Sequence, residues 1–564
     1  MDALAARGVR FTRAFATAPI TLPSHASLLT GLYPAGHGSR HNGMRMSDRP
    51  ATLATVLREQ GWATGAFVGA FPLDRRFGLD RGFDRYGDRM PRGADGRLRN
   101  ERPGREVIDE ALDWVRGLGE RSFFLWVHLF EPHAPYEPDP ARGTDGRGLP
   151  ASIRYDDEVA RADHETGRLL AGLGERAAAA LVIVAGDHGE AFGEHGEIAH
   201  SVFLYDTTLR VPLIIAGPGF GAGSPDADVS LVDVLPTVVA ALGLPPRDVD
   251  GVSLLPLVKD EALGPRDLYA ETFAPLVDFG WSSLRSVRSG PWKYIAAPSP
   301  ELYDVASDAV EERNSIERER SRARDLASRA AKYSGPELPH ETGAAPPIDA
   351  ESLSRLGALG YVASSPAAAS GNRPDPKDRR ELAARIAQVV SGELEGAALR
   401  AALEAIVSED PRNGQAQMRL GYALVESGAL REAETHFRAA LGASMPTADA
   451  HLGLALCYAS TGRTAEAAGA LMEARRLEPG NPVVEANLGS LALEAGDTTK
   501  AVAFLGAALQ IDPDLHQARF NLARALARAG RRADALKEAE TLLQRLPAQA
   551  PQRPEVQRLI DALR

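Results

Sequence analysis

Two short stretches hold most of the side chains able to do chemistry. In VIVAGDHGEAFGEHGEIAH, residues 182–200, an apolar run ends at Gly186 and is followed by Asp187, His188, Glu190, Glu194, His195 and His200. Imidazoles and carboxylates crowded behind a strand suit a divalent cation or an anion held by histidine. In TLPSH, residues 21–25, Pro23 suits the first turn of a helix because it has no amide hydrogen to leave unsatisfied. Thr21 would then stand at a helix N-terminus, where unbonded amides and the helix dipole favour an anionic oxygen or a phosphate-like group. The same residues fit a plain helix cap, with Thr21 or Ser24 accepting an amide bond, and both readings stay open here. A third stretch, VHLFEPHAPYEP (127–138), ends another apolar run. Its His128 reads as a structural histidine inside the strand, whereas His133, in a proline-stiffened loop, can reach the edge where Asp187 emerges.

The elements that must carry these residues alternate β-rich and helical patterns from residue 1 to about 335, as in an α/β layered fold. WATGAFVGA (62–70), SFFLWVHLF (122–130), ALVIVAG (180–186) and VPLIIAG (211–217) are apolar enough for strands covered on both faces. REVIDEALDWVRGL (105–118) and DDEVARADHETGRLLAGL (156–173) read as helices, and LRSVRSGPWKYIAA (284–297) as two strands around a Ser-Gly-Pro turn. Ligands of open α/β sheets gather at the carboxyl ends of strands, where Asp187 and His188 would lie.

From about 336 to 379 the composition turns to Pro, Ala, Ser and Gly, as in a linker, although LSRLGALGYV (353–362) is apolar enough to dock on the first domain. Residues 380–564 are helical and periodic. Gly428, Gly462, Gly496 and Gly530 keep one spacing of 34, as do Leu420, Leu454, Leu488 and Leu522, and Ala433, Ala467, Ala501 and Ala535. Pro479, Pro513 and Pro547 keep the same step. This register resembles the tetratricopeptide repeat, an all-α solenoid whose concave face binds a peptide or protein partner.

Composition narrows the function. At 44% apolar and 25% charged the chain has a globular profile, and 564 residues imply two or more domains. A net charge of −12 argues against nucleic acid as the partner. One cysteine, Cys457, rules out an internal disulfide or a cysteine zinc cluster. No run of about 18 apolar residues is present to cross a membrane as a helix. MDALAARGVRF has no apolar signal core, so localisation is not legible.

Taken in order, DALAARGVRFTRAFATAP, TLPSHASLLTGLYP, HLFEPHAPY, GDHGEAFGEHG, LYDTTLRVPLIIAGPG and LVDVLPTVVAALG resemble the sulfatase branch of the alkaline phosphatase superfamily, from residue 2 to about 335. The resemblance implies an α/β fold with a central sheet sandwiched by helices, and a small C-terminal β subdomain holding WKYI (292–295). It puts Thr21 at the nucleophile position and Asp187, His188 and Thr21 itself at metal-ligand positions. His133 matches the histidine facing the leaving group, and His200 the residue touching the ester oxygens. His25 stands where sulfatases proper carry an arginine against the substrate. The cofactor implied is a divalent metal (Ca, Mg, Mn or Zn) and the substrate a small phosphate, phosphonate or sulfate ester. The mechanism implied is alkoxide attack to give a covalent enzyme ester that water later releases.

Three departures bear on that expectation. Sulfatases proper oxidise a Cys or Ser to formylglycine, a route closed to Thr21; threonine nucleophiles occur in the phosphodiesterase, phosphomutase and headgroup-transferase members. The Gly-Lys-Trp-His-Leu-Gly strand end of many sulfatases is replaced by FVGAFPLD (67–74). Finally, the family opens with a strand ending in one or two metal-binding Asp. Met1 lies in the helix after that strand, so the expectation is that the first acidic ligand is encoded upstream. Were it not, the alternative is a catalytically inactive platform whose repeats act as a scaffold.

Overall fold

The computed structural model describes residues 1–91, 99–138, 148–335, 352, 355–357, 359, 373–443, 447–547 and 549–564. Most of the proline-rich linker and of the apolar piece 353–362 lies outside them. The chain divides into two compact units, the first reaching Glu395 and the second made chiefly of Gly396–Arg564.

In the first unit the strands are β1 (Val9–Phe15), β2 (Ala63–Val68), β3 (Arg85–Gly87), β4 (Phe123–His128), β5 (Val182–Ala185), β6 (Ala191–Phe192), β7 (Ile198–Ala199), β8 (Arg210–Ala216) and β9 (Val229–Ser230), followed by β10 (Asp267–Thr272), β11 (Leu284–Ser289), β12 (Trp292–Ala296) and β13 (Glu301–Asp304). They assemble as a mixed sheet β5-β8-β1-β9, a parallel sheet β3-β2-β4, a two-stranded ribbon β6-β7 and an antiparallel sheet β10-β11-β12-β13. The last contains WKYI, turned from its neighbour at Gly290, whose φ of +56° suits a residue without a side chain.

The reason each strand forms is visible in its burial. β2, ATGAFV, is buried at every position, because β3 and β4 pair both its edges and helix Gly104–Arg116 lies on it. Val107 and Ala111 of that helix pack on Phe67, and Gly65 leaves room for the Trp114 ring, which a Cβ there would meet at 2.7 Å. Full burial was expected of β4 and β5 too, yet both are only half-buried except at His128. Among the described residues each is paired along one edge alone, β4 with β2 and β5 with β8. Their carboxyl ends deliver His128 and Asp187 to the site.

Helix Arg380–Val390 packs with the first unit, and Arg380 Nη2 donates to the Tyr205 hydroxyl at 2.9 Å. Repeat geometry begins at Gly396, although the sequence pattern suggests about 380.

In the second unit, helix pairs follow the 34-residue step: Gly414–Glu426 with Leu430–Gly442, Ala448–Ser460 with Thr464–Leu477, Pro482–Glu494 with Thr498–Ile511, and His516–Arg528 with Arg532–Arg545. The glycine of each series ends the first helix of its pair with φ between +77° and +81°. The matching alanines, Ala433, Ala467, Ala501 and Ala535, have no accessible surface, so helices cross there at close range. The Phe437 ring sits over two backbones, and a Cβ on Gly421 or Gly453 would meet it at 2.8 or 2.3 Å.

Candidate active site

Thr21 opens helix Thr21–Thr30, whose N-cap, Ile20, has no side-chain acceptor to offer. The capping alternative is therefore not what is found: Thr21 is the first helical residue, and Ser24 Oγ donates instead to the Asp187 carbonyl oxygen at 2.6 Å. Leu22 N–H is taken by Asn42 Oδ1 at 2.8 Å, and Pro23 has none. The Thr21 N–H has no acceptor among the described residues, nor has the buried Asn42 Nδ2. Two donors beside one hydroxyl make an environment for negative charge.

Across from this helix end, β5 delivers Asp187 and His188. His188 Nδ1 lies 3.0 Å from the Gly189 carbonyl, which fixes the proton on Nδ1 and turns the Nε2 lone pair to Thr21 Oγ1 at 3.5 Å. Asp187 Oδ2 is 3.6 Å from His188 Nε2 and 3.4 Å from His25 Nδ1. His25 Nδ1 also lies 2.9 Å from the carbonyl oxygen of Thr21, one helical turn back. The β4 end adds His128, whose ring meets His25 edge-on at 5.0 Å and whose Nδ1 accepts the Gly69 amide at 3.4 Å.

His200 arrives from the loop after β7. Its Nδ1 is 3.1 Å from Glu190 Oε1, and its ring lies 4.2 Å from that of His188 and 5.5 Å from that of His133. His133 is stacked on Phe130 at 4.1 Å, and its Nδ1 is 2.7 Å from the Ala134 carbonyl, so its Nε2 carries the lone pair when neutral. Thr21, His25, His133, Asp187, His188 and His200 thus form one linked group. His195 and Glu194 stay apart: the former stacks on Tyr205 at 3.6 Å, and the latter accepts the Phe192 amide.

The charges are set by burial against partners. Burial opposes ionisation of Asp187, but His188, His25, His128 and His200 outweigh it and hold its carboxyl at about 2. Burial lowers His188, only partly countered by Asp187. It takes His133 to about 4, with His200 adding to the effect, and His128 to about 3, with His25 adding. His200 goes the other way: burial is overcome by the Glu190 carboxylate, and its pKa rises. At neutral pH the group therefore presents one carboxylate, uncharged His188 and His133, and a His200 biased towards its cation.

This donor set suits a divalent ion in kind. An ionised carboxylate, an uncharged imidazole nitrogen and a hydroxyl lie within 3.6 Å steps of one another. It is a partial set, since no three His, Cys, Asp or Glu side chains among the described residues converge as a metal cluster.

The sulfatase family model matches residues 1–244, and tetratricopeptide-repeat models match 396–448, 423–482 and 492–563. The chain thus carries a sulfatase-like region followed by tetratricopeptide repeats. It is 26% identical over 395 residues to the uncharacterized sulfatase YidJ of Escherichia coli, covering 56% of this chain and 78% of that protein. Human arylsulfatase K is 25% identical over 393 residues, covering 54% and 72%. A choline-sulfatase of Rhizobium meliloti is 36% identical over a shorter 150 residues, 25% of this chain and 28% of that one. The crystal structure of Ps i-CgsB superposes with a TM-score of 0.50 at 20% identity, over 61% of this chain and 90% of that one, a likeness of fold. In the sulfatase-like region motif reading missed Asn42, which holds the Leu22 amide, whereas His128, read as structural, lies inside its strand and accepts the Gly69 amide. Asn42 has no sequence signal of its own, while His128 has one in its place at a strand's carboxyl end.

Proposed function

We propose that the sulfatase domain hydrolyses phosphate, phosphonate or sulfate esters through a Thr21 nucleophile, and that the repeats hold a protein or peptide partner. The observation that carries this reading is the 3.5 Å approach of Thr21 Oγ1 to a His188 nitrogen whose lone pair is turned towards it. Thr21 Oγ1 attacks the central phosphorus or sulfur, its proton passes to the departing alkoxy group, which leaves as the alcohol, and a covalent ester remains on Thr21. The Asn42 amide, the Thr21 N–H and His200, whose protonation the Glu190 carboxylate favours, are the donors for the charge that gathers on the non-bridging oxygens. His25 holds the Thr21 carbonyl and Asp187 in place. His133, uncharged at neutral pH, offers Nε2 to the water that resolves the ester and takes its proton.

Asp187, His188 and Thr21 would hold the divalent metal that sulfatase-family enzymes generally use. When bound it supplies Lewis acidity and a lower hydroxyl pKa. Because an ester on threonine has no aldehyde hydrate to collapse, its release needs attack at the central atom, which favours phosphorus over sulfur.

The experiment is a rate panel with the full chain, p-nitrophenyl phosphate, bis-p-nitrophenyl phosphate, phenylphosphonate and sulfate esters, each with Ca, Mg, Mn and Zn in turn. The reading expects a phosphoryl ester to be turned over best, and Thr21→Val to lose at least about a thousandfold in kcat at unchanged Tm. Undiminished turnover in Thr21→Val would overturn the nucleophile, and a marked preference for the sulfate ester would overturn the phosphoryl choice.

A further inference from the structure

Beside the helix Leu53–Glu59 lies an open pocket of about 540 Å³, bounded by Arg49, Arg58, Arg81, Asp48, Asp80 and Phe83. Its cations are not matched. Asp48 is committed to Arg45 at 2.9 Å. That leaves three guanidiniums against Asp80, and Arg49, Arg58 and Arg81 have no carboxylate at ion-pair distance among the described residues. Arg81 is the telling one, for at the pocket wall its Nε and Nη2 are buried and have no acceptor among the described residues. Two buried guanidinium donors without acceptors cost on the order of several kcal/mol unless something enters to accept them. The planar fork of an arginine matches two oxygens of a tetrahedral anion, and the pocket has room for one with several waters of about 30 Å³ each.

We infer that this pocket is a second oxyanion site, taking a phosphate or sulfate group in the Arg81 fork with Arg49 and Arg58 closing over it. It goes beyond the ester chemistry at Thr21 and does not depend on it. The backbone that carries Arg81 is fixed at the pocket wall, since the Arg81 carbonyl accepts the Thr52 hydroxyl at 2.7 Å. Burial pushes the unpaired guanidinium down, partly relieved by Asp48, and a bound dianion would reverse that. The pocket is not isolated from the catalytic group. Phe83, on its wall, stacks on Trp126 at 6.0 Å, and Trp126 lies 5.5 Å from the His25 ring.

The test is residue-level arginine labelling of the full chain by phenylglyoxal at low ionic strength, with and without millimolar inorganic phosphate, read by peptide mass spectrometry. Phosphate should slow labelling of the exposed Arg49 and Arg58 at least about fivefold, and leave the exposed Arg318 unchanged. Arg81→Met should abolish the protection. Arg58→Gln, an exposed change that leaves the fold alone, should weaken protection of Arg49 about tenfold. The inference is overturned if phosphate leaves both arginines unprotected, if chloride at matched ionic strength protects equally, or if protection survives undiminished in both variants. A sulfated oligosaccharide at equal anion concentration separates the two sources. Protection at least about tenfold tighter than by the free ion assigns the site to a group on a larger polyanion, and equal protection assigns it to the free ion.

Discussion

The Ser24 hydroxyl and the Asp187 carbonyl oxygen meet at 2.6 Å, joining the first turn of the Thr21 helix to the end of β5. Neither atom reacts, yet the bond fixes the gap between a proposed nucleophile and a proposed metal ligand that are 166 residues apart in the chain. Ser24→Ala is expected to cost about 1 kcal/mol of unfolding free energy but about 10–100-fold in kcat, because the two halves of the site then drift. Denaturant melts run beside steady-state kinetics read both numbers; equal losses in stability and rate would make the bond merely structural.

A second expectation concerns metal. Chelation of the full chain should remove ester turnover, and one of Ca, Mg, Mn or Zn should restore it. Asp187→Asn, which keeps shape but loses the carboxylate held at about 2, should raise the cation's dissociation constant by at least about tenfold. Calorimetric titration of the stripped protein gives this without reference to activity.

Glu197 supplies a pH dependence of stability. It is 3% exposed, and its Oε1 accepts the amides of Val202 at 2.9 Å and Phe203 at 3.2 Å, bracing the loop that carries His200. Burial raises its pKa from 4.5 to about 8, against the pull of those amides. A raised carboxyl pKa means the folded chain keeps a proton the unfolded chain has lost. Its contribution is complete below pH 4.5 and is withdrawn as pH rises through about 8. Melting temperature should fall between pH 5 and 9 in the wild type and fall less in Glu197→Gln, which keeps an acceptor for both amides. Scanning calorimetry across that range checks the sign.

In the repeats, Gly453→Ala places a methyl 2.3 Å from the Phe437 ring and should destabilise the second unit by about 1–3 kcal/mol. Helical circular dichroism in urea should show the loss, while ester turnover at 25 °C is unchanged.

The repeats were legible because four residue series kept one spacing, and such a pattern survives any detail of packing. The strands β2 and β8 were legible from their apolar runs. The half-burial of β4 and β5 was not, since composition says how apolar a run is and nothing about how many edges are paired. Asp187, His188 and His200 were announced by clustering in one loop. Asn42 was not, because it acts by lending Oδ1 to the amide of Leu22, a relation between two loops with no pattern along the chain. The Arg81 fork was likewise hidden, for an arginine shows in sequence neither its burial nor its lack of a partner.

The Phe437 ring also has a bearing on how the array assembles. It rests on Gly453, and the position one repeat further along is Asn487. If the first helix pair skipped its neighbour and docked on the next, the ring would face an amide side chain where it now has open backbone. Arrays of near-identical units are prone to pairing out of turn while they fold. Here a single bulky ring and a single glycine make one junction unlike the others, so the order of the repeats is written into their contact as well as into the chain.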